Sequence, residues 1–393
     1  MIRHVHAENF KTLLDVDLEL TRRNVLVGPN MSGKSNFISV FRFLNKLTLP
    51  LGGVGLLNAI NAAGGFAEIP WRGGDSNLVS ISLEGDFGGF EDSPEYDNWT
   101  YILRIVGDPQ RAWVTVQDET LTFSGPKGQE ILIRKDPGSG RRVLRSPSKG
   151  TVTEVHDFNR SALEYEIPDW EGNRVRQMFA SFRFYKLVPP LMKQPNPTTA
   201  PVFLEEMGGN FSSWIMMLQT RYRDSFDKIN RALKDALPDV VNLLSWPTQQ
   251  TTVFIASSER FLKTAVPVWQ MSDGQLCFLA LLSLIYCPSE LGAPLYCIEE
   301  PENYLHPRLL QTLVGLLDQV EKELGPRSAQ VVTSTHSLEL VDKVGLDDLI
   351  VFEKRTGATK CIRPGKKSHL QELLSREEMG LGDLYYSGAL SGE

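Results

Sequence analysis

The stretch "GPNMSGKS", Gly28 to Ser35, decides how the rest of the chain is read. It satisfies G-x-x-x-x-G-K-[ST] at every fixed position. Before it stands "NVLV", a short apolar run that reads as a buried strand. After it, "SNFISVFRFLNKL" sets Phe37, Val40, Phe41, Phe43 and Leu44 at helical spacing. Strand, glycine-rich turn and helix together are the context in which this pattern binds phosphate. Glycines let the backbone wrap an anion closely, and N–H groups at a helix start supply positive potential. Lys34 is placed to reach the β- and γ-phosphates of ATP, and Ser35 to offer its hydroxyl to Mg²⁺. Asn30, Ser32, Gly33 and Asn36 complete the expected phosphate-side set.

Two later stretches fit the same chemistry. In "LYCIEEPENYLHP" an apolar strand ends in adjacent carboxylates, Glu299 and Glu300. Neighbours on a strand point to opposite sides, so the two can hold different roles. Glu299 is expected to serve the Mg²⁺ shell, and Glu300 to orient or deprotonate the attacking water. "VVTSTHS" reads as a buried strand ending at Thr335, His336 and Ser337, where a histidine can hydrogen-bond a γ-phosphate and sense its loss. Alone, such a histidine reads as structural; beside the other motifs it reads as a sensor. "MSDGQ", Met271 to Gln275, opens the apolar run "LCFLALLSLIYC" and reads locally as a helix cap, with Ser272 and Asp273 as good N-terminal residues.

Composition narrows the classes. The usage, 41% hydrophobic and 23% charged, is that of a globular protein, and 393 residues allow two or three lobes. The net charge of -7 argues against a surface that coats nucleic acid. The four cysteines lie far apart without zinc-ligand spacing and read as buried free thiols. The sequence shows neither a signal core nor an apolar run of about 20 residues, so a cytoplasmic protein without membrane contact is expected.

Along the chain, "IRHVHAENF" and "LLDVDLEL" alternate as half-buried strands do. From about Leu78 to Val155, short strands split by Gly, Pro and Asp turns predict an antiparallel meander. The basic loop "KDPGSGRR" reads as a solvated hairpin tip. Ser161 to Leu244 reads as mostly helical, broken by "KLVPPLMKQPNPTTAP". Then follow a helix, the strand "APLYCIEE", the helix "PRLLQTLVGLLDQVEKEL", the strand "AQVVTSTHS" and a closing hairpin from "LIVFEKR" and "ATKCIRP". The expected division is 1–160, the ATPase lobe with P-loop and meander; 161–285, a helical lobe ending in "MSDGQ"; and 286–393, completing the core.

In this order the motifs resemble the ABC-type ATPases, nearest to the soluble RecF/SMC-like branch labelled AAA_21 or AAA_15. "HVHAENFKTLLDVDLEL", "GGFAEIPWRGG", "FRFYKLVPP" and the closing "LGDLYYSGAL" are also similar to that branch. The likeness covers both ends well and residues 78 to 265 loosely. It implies an α/β fold: an ABC-type P-loop head with a mixed sheet and antiparallel β subdomain, plus a helical lobe. It implies that "MSDGQ" stands for the signature "LSGGQ", with Ser272, Gly274 and Gln275 facing nucleotide held by a second subunit. It further implies a D-loop at Pro301 to Leu305 and Lys11 near the nucleotide. Asp273 departs from the usual glycine. The Q-loop glutamine stays open between Gln177 and Gln194.

The missing spanning segment sets a transport subunit aside, and the missing coiled coil sets an SMC arm aside. Fewer than about sixty residues follow His336, too few for an appended Toprim nuclease. The resemblance therefore implies an ATPase that forms a homodimer around two ATP molecules, or a higher oligomer built on it. A separately encoded effector, nuclease or toxin, would be its partner, as in anti-phage or toxin-antitoxin-like operons, with nucleic acid contacted through that partner. The competing readings are a RecF-like repair ATPase that binds DNA directly and a nucleotide-locked scaffold with little turnover.

Overall fold

The alternation at the N-terminus becomes a sheet. In the computed structural model, which describes residues 1–49, 54–88, 96–108, 113–126, 128–136, 140–248 and 251–366, β1 (Ile2–Phe10) buries Ile2, Val5, Ala7 and Phe10 and exposes Arg3 and Glu8. β2 (Leu13–Glu19) pairs with it antiparallel, Val5 opposite Leu18. β3 (Arg23–Val27) is wholly buried and leads to α1 (Lys34–Thr48) and α2 (Gly55–Ala62). The expected meander follows as β4 (Leu78–Asp86), β5 (Asn98–Asp108), β6 (Trp113–Gly125), β7 (Gly128–Lys135), β8 (Arg142–Ser146) and β9 (Thr151–Val155). With the first two strands it makes an eight-stranded sheet in the order β2-β1-β4-β5-β6-β7-β8-β9, antiparallel throughout. α3 (Asn173–Ala180) follows. The basic hairpin tip at 137–139 and the tail at 375–393, which holds "LGDLYYSGAL", lie outside the described residues.

The chain divides into two compact units, each described by itself: Met1–Phe182 with Ala329–Val332 and Leu346–Glu393, and Arg183–Ser328 with Thr333–Gly345. The second unit begins with β10 (Arg183–Tyr185), the short α4 (Pro189–Met192) and the two-residue β11 (Asn196–Pro197). α5 (Phe211–Arg221) and α6 (Arg223–Ala236) precede β12 (Val240–Pro247), β13 (Thr252–Glu259) and β14 (Val266–Pro267). The segment from 161 to 244, expected as mostly helical, is helical over less than half its length: β10 and β11 interrupt it, and its last residues go to β12, because pairing with β13 settles a short apolar run that periodicity leaves ambiguous. α7 (Asp273–Ile285) is buried almost all round from Leu276 to Leu284, and the Trp214 indole N–H on α5 donates to Ser283 Oγ at 2.9 Å. β15 (Leu295–Glu299) runs parallel to β10, Phe184 opposite Cys297. α8 (Pro307–Leu324) and the one-turn α9 (Leu338–Val341) belong to the second unit, as does β16 (Gln330–Thr335) from Thr333 on, its first residues belonging to the first.

The four cysteines are free; Cys277 and Cys297 are buried, as expected, whereas Cys287 and Cys361 are partly exposed. Burial pushes the Cys277 thiol up to about 12, helped by the negative charge of Asp273, and burial pushes Cys287 to about 11.

The closing hairpin, β17 (Leu349–Arg355) and β18 (Ala358–Ile362), returns to the first unit. There β17 lies parallel to β3, Ile350 beside Leu26, and antiparallel to β18. The apolar stripe of α1 packs on this frame through edge-to-face aromatic pairs: Phe37 with Phe352 at 5.7 Å and Phe10 with Phe43 at 5.9 Å. α1 is also tied by Asn45, whose side-chain N–H groups donate to the carbonyls of Phe179 and Ala180 at 2.9 and 3.0 Å.

Inside the meander lies a polar knot. Glu119 is fully buried and accepts from Arg142 at 2.6 Å, the Tyr101 hydroxyl at 2.9 Å, the Ser161 hydroxyl at 2.6 Å and the Ala162 N–H at 2.7 Å. It fixes the strand pair to the segment leading into α3. Removing one member strands the other charge in a dry interior. Glu119→Ala is expected to lower unfolding stability by about 3–5 kcal/mol in denaturant titration; a loss below about 1 kcal/mol would show that the knot does not hold the meander.

Candidate functional site

The phosphate loop belongs to the first unit. Its turn is built from left-handed residues flanking Ser32: Met31 at φ 63° and Gly33 at φ 111°. Such alternation turns successive N–H groups toward one concavity, the backbone form that holds anions. Gly33 is also the N-cap of α1, so the helix starts at the loop. A side chain at Gly33 would put Cβ at 2.1 Å from Thr359 Oγ1 on β18, and one at Gly28 would meet the Phe352 carbonyl at 2.2 Å. The glycines thus answer to the hairpin behind the loop.

Thr359 fastens the loop from behind. Its hydroxyl donates to the Ser32 carbonyl at 2.9 Å and lies 2.8 Å from Thr12 Oγ1, while its N–H donates to the Thr12 carbonyl at 2.7 Å. The Asn36 side chain donates to Thr12 Oγ1 at 2.7 Å. The β1–β2 turn, the hairpin and the first turn of α1 are therefore pinned to one another. Lys11 sits in that β1–β2 turn at φ 54°, with its N–H donating to the Ile69 carbonyl. Burial holds its amine below the usual lysine range, Arg42 adds to this, and Glu68 opposes it.

Lys34 is buried and its amine donates to the carbonyls of Gly28 at 2.6 Å and Pro29 at 3.0 Å, folded over the loop. The Ser32 hydroxyl is buried without a hydrogen-bond partner. Ser35 and Asn30 are exposed. An orphan hydroxyl, a cation and a helix start around one turn fit a bound polyphosphate.

The second unit carries a cluster of carboxylates. β15 ends at Glu299, and Glu300 stands beyond it in the left-handed region at φ 49°, its N–H donating to the Ser334 carbonyl at 2.9 Å. The strand ends between the two carboxylates, so the turn at Glu300, not the alternation of a continuing strand, sets where the second one stands. Glu300 Oε1 lies 3.7 Å from His336 Nε2, and Glu300 Oε2 accepts from the Asn303 side chain at 2.9 Å. Glu302, within the stretch Pro301 to Leu305 expected as a D-loop, accepts from the Thr335 hydroxyl at 2.8 Å and the His336 N–H at 2.7 Å through the same oxygen. It was visible as the third carboxylate of "EEPEN", but its partners lie more than thirty residues away.

"MSDGQ" forms a reciprocal cap in the same unit. Ser272 Oγ accepts from the Gln275 N–H at 3.2 Å, and Gln275 Oε1 accepts from the Ser272 N–H at 3.0 Å. Gly274 answers to close packing, since a Cβ there would stand 2.8 Å from the Tyr304 carbonyl. Asp273 is held by Lys193 at 2.6 Å, one residue before Gln194. Gln177 lies on α3 of the first unit and Gln194 just beyond α4 of the second.

Mixed α/β units, a phosphate-loop sequence on a strand–helix junction and a carboxylate pair ending a buried strand are the arrangement expected of a P-loop ATPase fold. The sequence matches the family AAA_21, described as "AAA domain, putative AbiEii toxin, Type IV TA system", over residues 23–176 and 222–342. That is more than half of the chain, which belongs to this family. No curated protein sequence matches. Among solved structures, an Smc head bound to the C-winged helix domain of ScpA aligns with TM-score 0.55 at 14% identity, covering 92% of this chain and 97% of that one. The Thermotoga maritima SMC head domain aligns at TM-score 0.46 and 13% identity, over 92% and 98% of the two chains. A Pyrococcus furiosus Smc head with an extended coiled coil, bound to the C-terminal domain of ScpA, aligns at 0.49 and 13%, over 95% and 99%. The first of these supports the SMC-head fold.

The pinning of the loop can be tested apart from the loop itself. Thr359→Val keeps the shape and removes the hydroxyl; it is expected to cost about 1–3 kcal/mol in unfolding stability and to weaken ATP binding in calorimetry. Unchanged values in both would show that the hairpin does not support the loop.

Proposed function

We propose that the chain binds and hydrolyses ATP as a homodimer around two nucleotides and acts as the sensor or regulatory subunit of a separately encoded effector. The observation that carries the hydrolytic reading is the Glu300–His336 pair at the end of the buried strand. Glu300 would accept a proton from water as the water oxygen attacks the γ-phosphorus, while the bond to the bridging oxygen breaks and ADP departs. Lys34, Ser32 and the N–H groups of the loop would stabilise the charge on the phosphates, and His336 would orient the γ-phosphate. Ser35 and Glu299 are the residues proposed to hold Mg²⁺, which when bound neutralises phosphate charge. Lys11 and Asn30 would border the nucleotide.

Ser272, with Gln275 and Gly274 shaping its turn, would meet the nucleotide of the second copy. Its oxygen already accepts within the cap, so toward a phosphate it would act as a hydroxyl donor. Lys193 offsets the carboxylate of Asp273, which lessens the repulsion that an aspartate in this turn would exert on phosphate. The family description, with its toxin and type IV toxin–antitoxin terms, supports a defence role with a dedicated partner. The Smc head of similar fold, bound to the C-winged helix domain of ScpA, supports a protein partner.

Lys34→Ala is expected to weaken ATP binding roughly 30- to 150-fold in calorimetry, the loss of one charge-assisted contact of about 2–3 kcal/mol. Unchanged affinity would remove the P-loop assignment. Glu300→Gln is expected to bind ATP, to lose turnover by roughly 10²–10⁴-fold and to elute as a dimer in size exclusion with MgATP. A monomer under those conditions would refute the paired arrangement.

A further inference from the structure

We infer that Glu302 is a positioning residue for ATP hydrolysis: its carboxylate sets the His336 imidazole against Glu300 and links both to the segment that packs on the start of α7. The inference rests on the proposed roles of Glu300 and His336 and adds the residue that holds them in register. A single oxygen, Oε1, receives both the Thr335 hydroxyl and the His336 N–H. Those donors lie at the end of β16, whereas Glu302 lies in the turn Pro301–Tyr304 that follows Glu300. The same turn is closed on Glu300 by Asn303, whose N–H donates to the Glu300 carbonyl at 3.1 Å and whose side chain donates to Oε2 at 2.9 Å. A second tie between the two segments is the Glu300 N–H on the Ser334 carbonyl.

The imidazole and the carboxylate thus sit on two segments clamped by one acidic side chain. Without it, the Glu300 N–H on the Ser334 carbonyl still joins the two segments, but Thr335 and the His336 backbone N–H lose their acceptor, and a displacement near 1 Å at a reacting group costs on the order of a hundredfold in rate. Two residues beyond Glu302, the Tyr304 carbonyl occupies the space a Gly274 side chain would need. A shift at the "SDGQ" turn therefore bears directly on the turn that carries Glu302. The chain Gly274, Tyr304, Glu302, His336 and Glu300 lies within one unit, and it gives contact at the signature turn a short physical route to the water-activating pair.

The test uses the full-length chain with MgATP, measuring kcat, KM, ATP affinity and thermal melting. Glu302→Ala is expected to lower kcat by roughly ten- to a hundredfold with KM and ATP affinity within twofold of wild type. Glu302→Gln retains an accepting oxygen and is expected to recover at least about a third of the wild-type rate. Thr335→Val removes one of the two bonds and is expected to fall between them. Wild-type kcat in Glu302→Ala overturns the inference. So does a parallel loss of kcat, ATP affinity and melting temperature in both Glu302→Ala and Thr335→Val, the pattern of a purely structural residue. If the wild-type chain binds ATP without turning it over, the hydrolytic reading itself fails and this inference with it, an outcome distinct from an active wild type with an indifferent Glu302 variant.

Discussion

Gly33 has no room for a side chain, and the phosphate loop depends on that. Its φ of 111° lies where only glycine rests without strain, and the Thr359 hydroxyl occupies the place of a Cβ. The left-handed step lets α1 begin directly at the loop with its N–H groups turned outward. The remainder of the first unit keeps this step in place. The aromatic stripe of α1 fastens the helix to the closing hairpin, and Thr12 and Thr359 fasten the hairpin and the first turn of the sheet to the loop. Stability and ligand contact are therefore not separable here: the groups that exclude a side chain from behind are those that shape the concavity in front.

The second unit solves a different problem, the placing of acidic groups close together. Glu299, Glu300 and Glu302 lie within four residues, and like charges so near would repel in a regular strand. The chain separates them by leaving the strand at Glu300 in a left-handed turn and giving each of the last two its own donors: Asn303 and the imidazole face Glu300, and the end of β16 faces Glu302. The geometry that relieves repulsion is also the geometry that presents one carboxylate to a histidine. The Lys193–Asp273 pair follows the same rule at the start of α7.

Much of this is readable without coordinates. The strand, loop and helix around Lys34, the meander from Leu78, the closing hairpin and the cap at Ser272 all arise from local spacing and turn chemistry, and the structure contains them. β12 was harder, since an apolar run of that length takes its state from the strand beside it. Thr12, Thr359 and Lys193 had no motif to announce them, and the expected D-loop stretch did not announce the partners of Glu302. Each acts through a partner far along the chain, Thr12 and Thr359 being 347 positions apart.

The sequence by itself determined the chemistry on offer: a glycine-bounded lysine, a carboxylate pair, a histidine ending an apolar strand and a capped helix. These follow from residue type and short-range spacing, which backbone stereochemistry translates directly into turns and helix starts. Only the tertiary structure decided how those groups are held. Gly274 turned out to be required by the Tyr304 carbonyl, Asp273 to be neutralised by Lys193, and His336 to be clamped by Glu302. Hydrogen bonds and close packing join atoms that are neighbours in space, and a one-dimensional pattern carries no record of which distant residue arrives there.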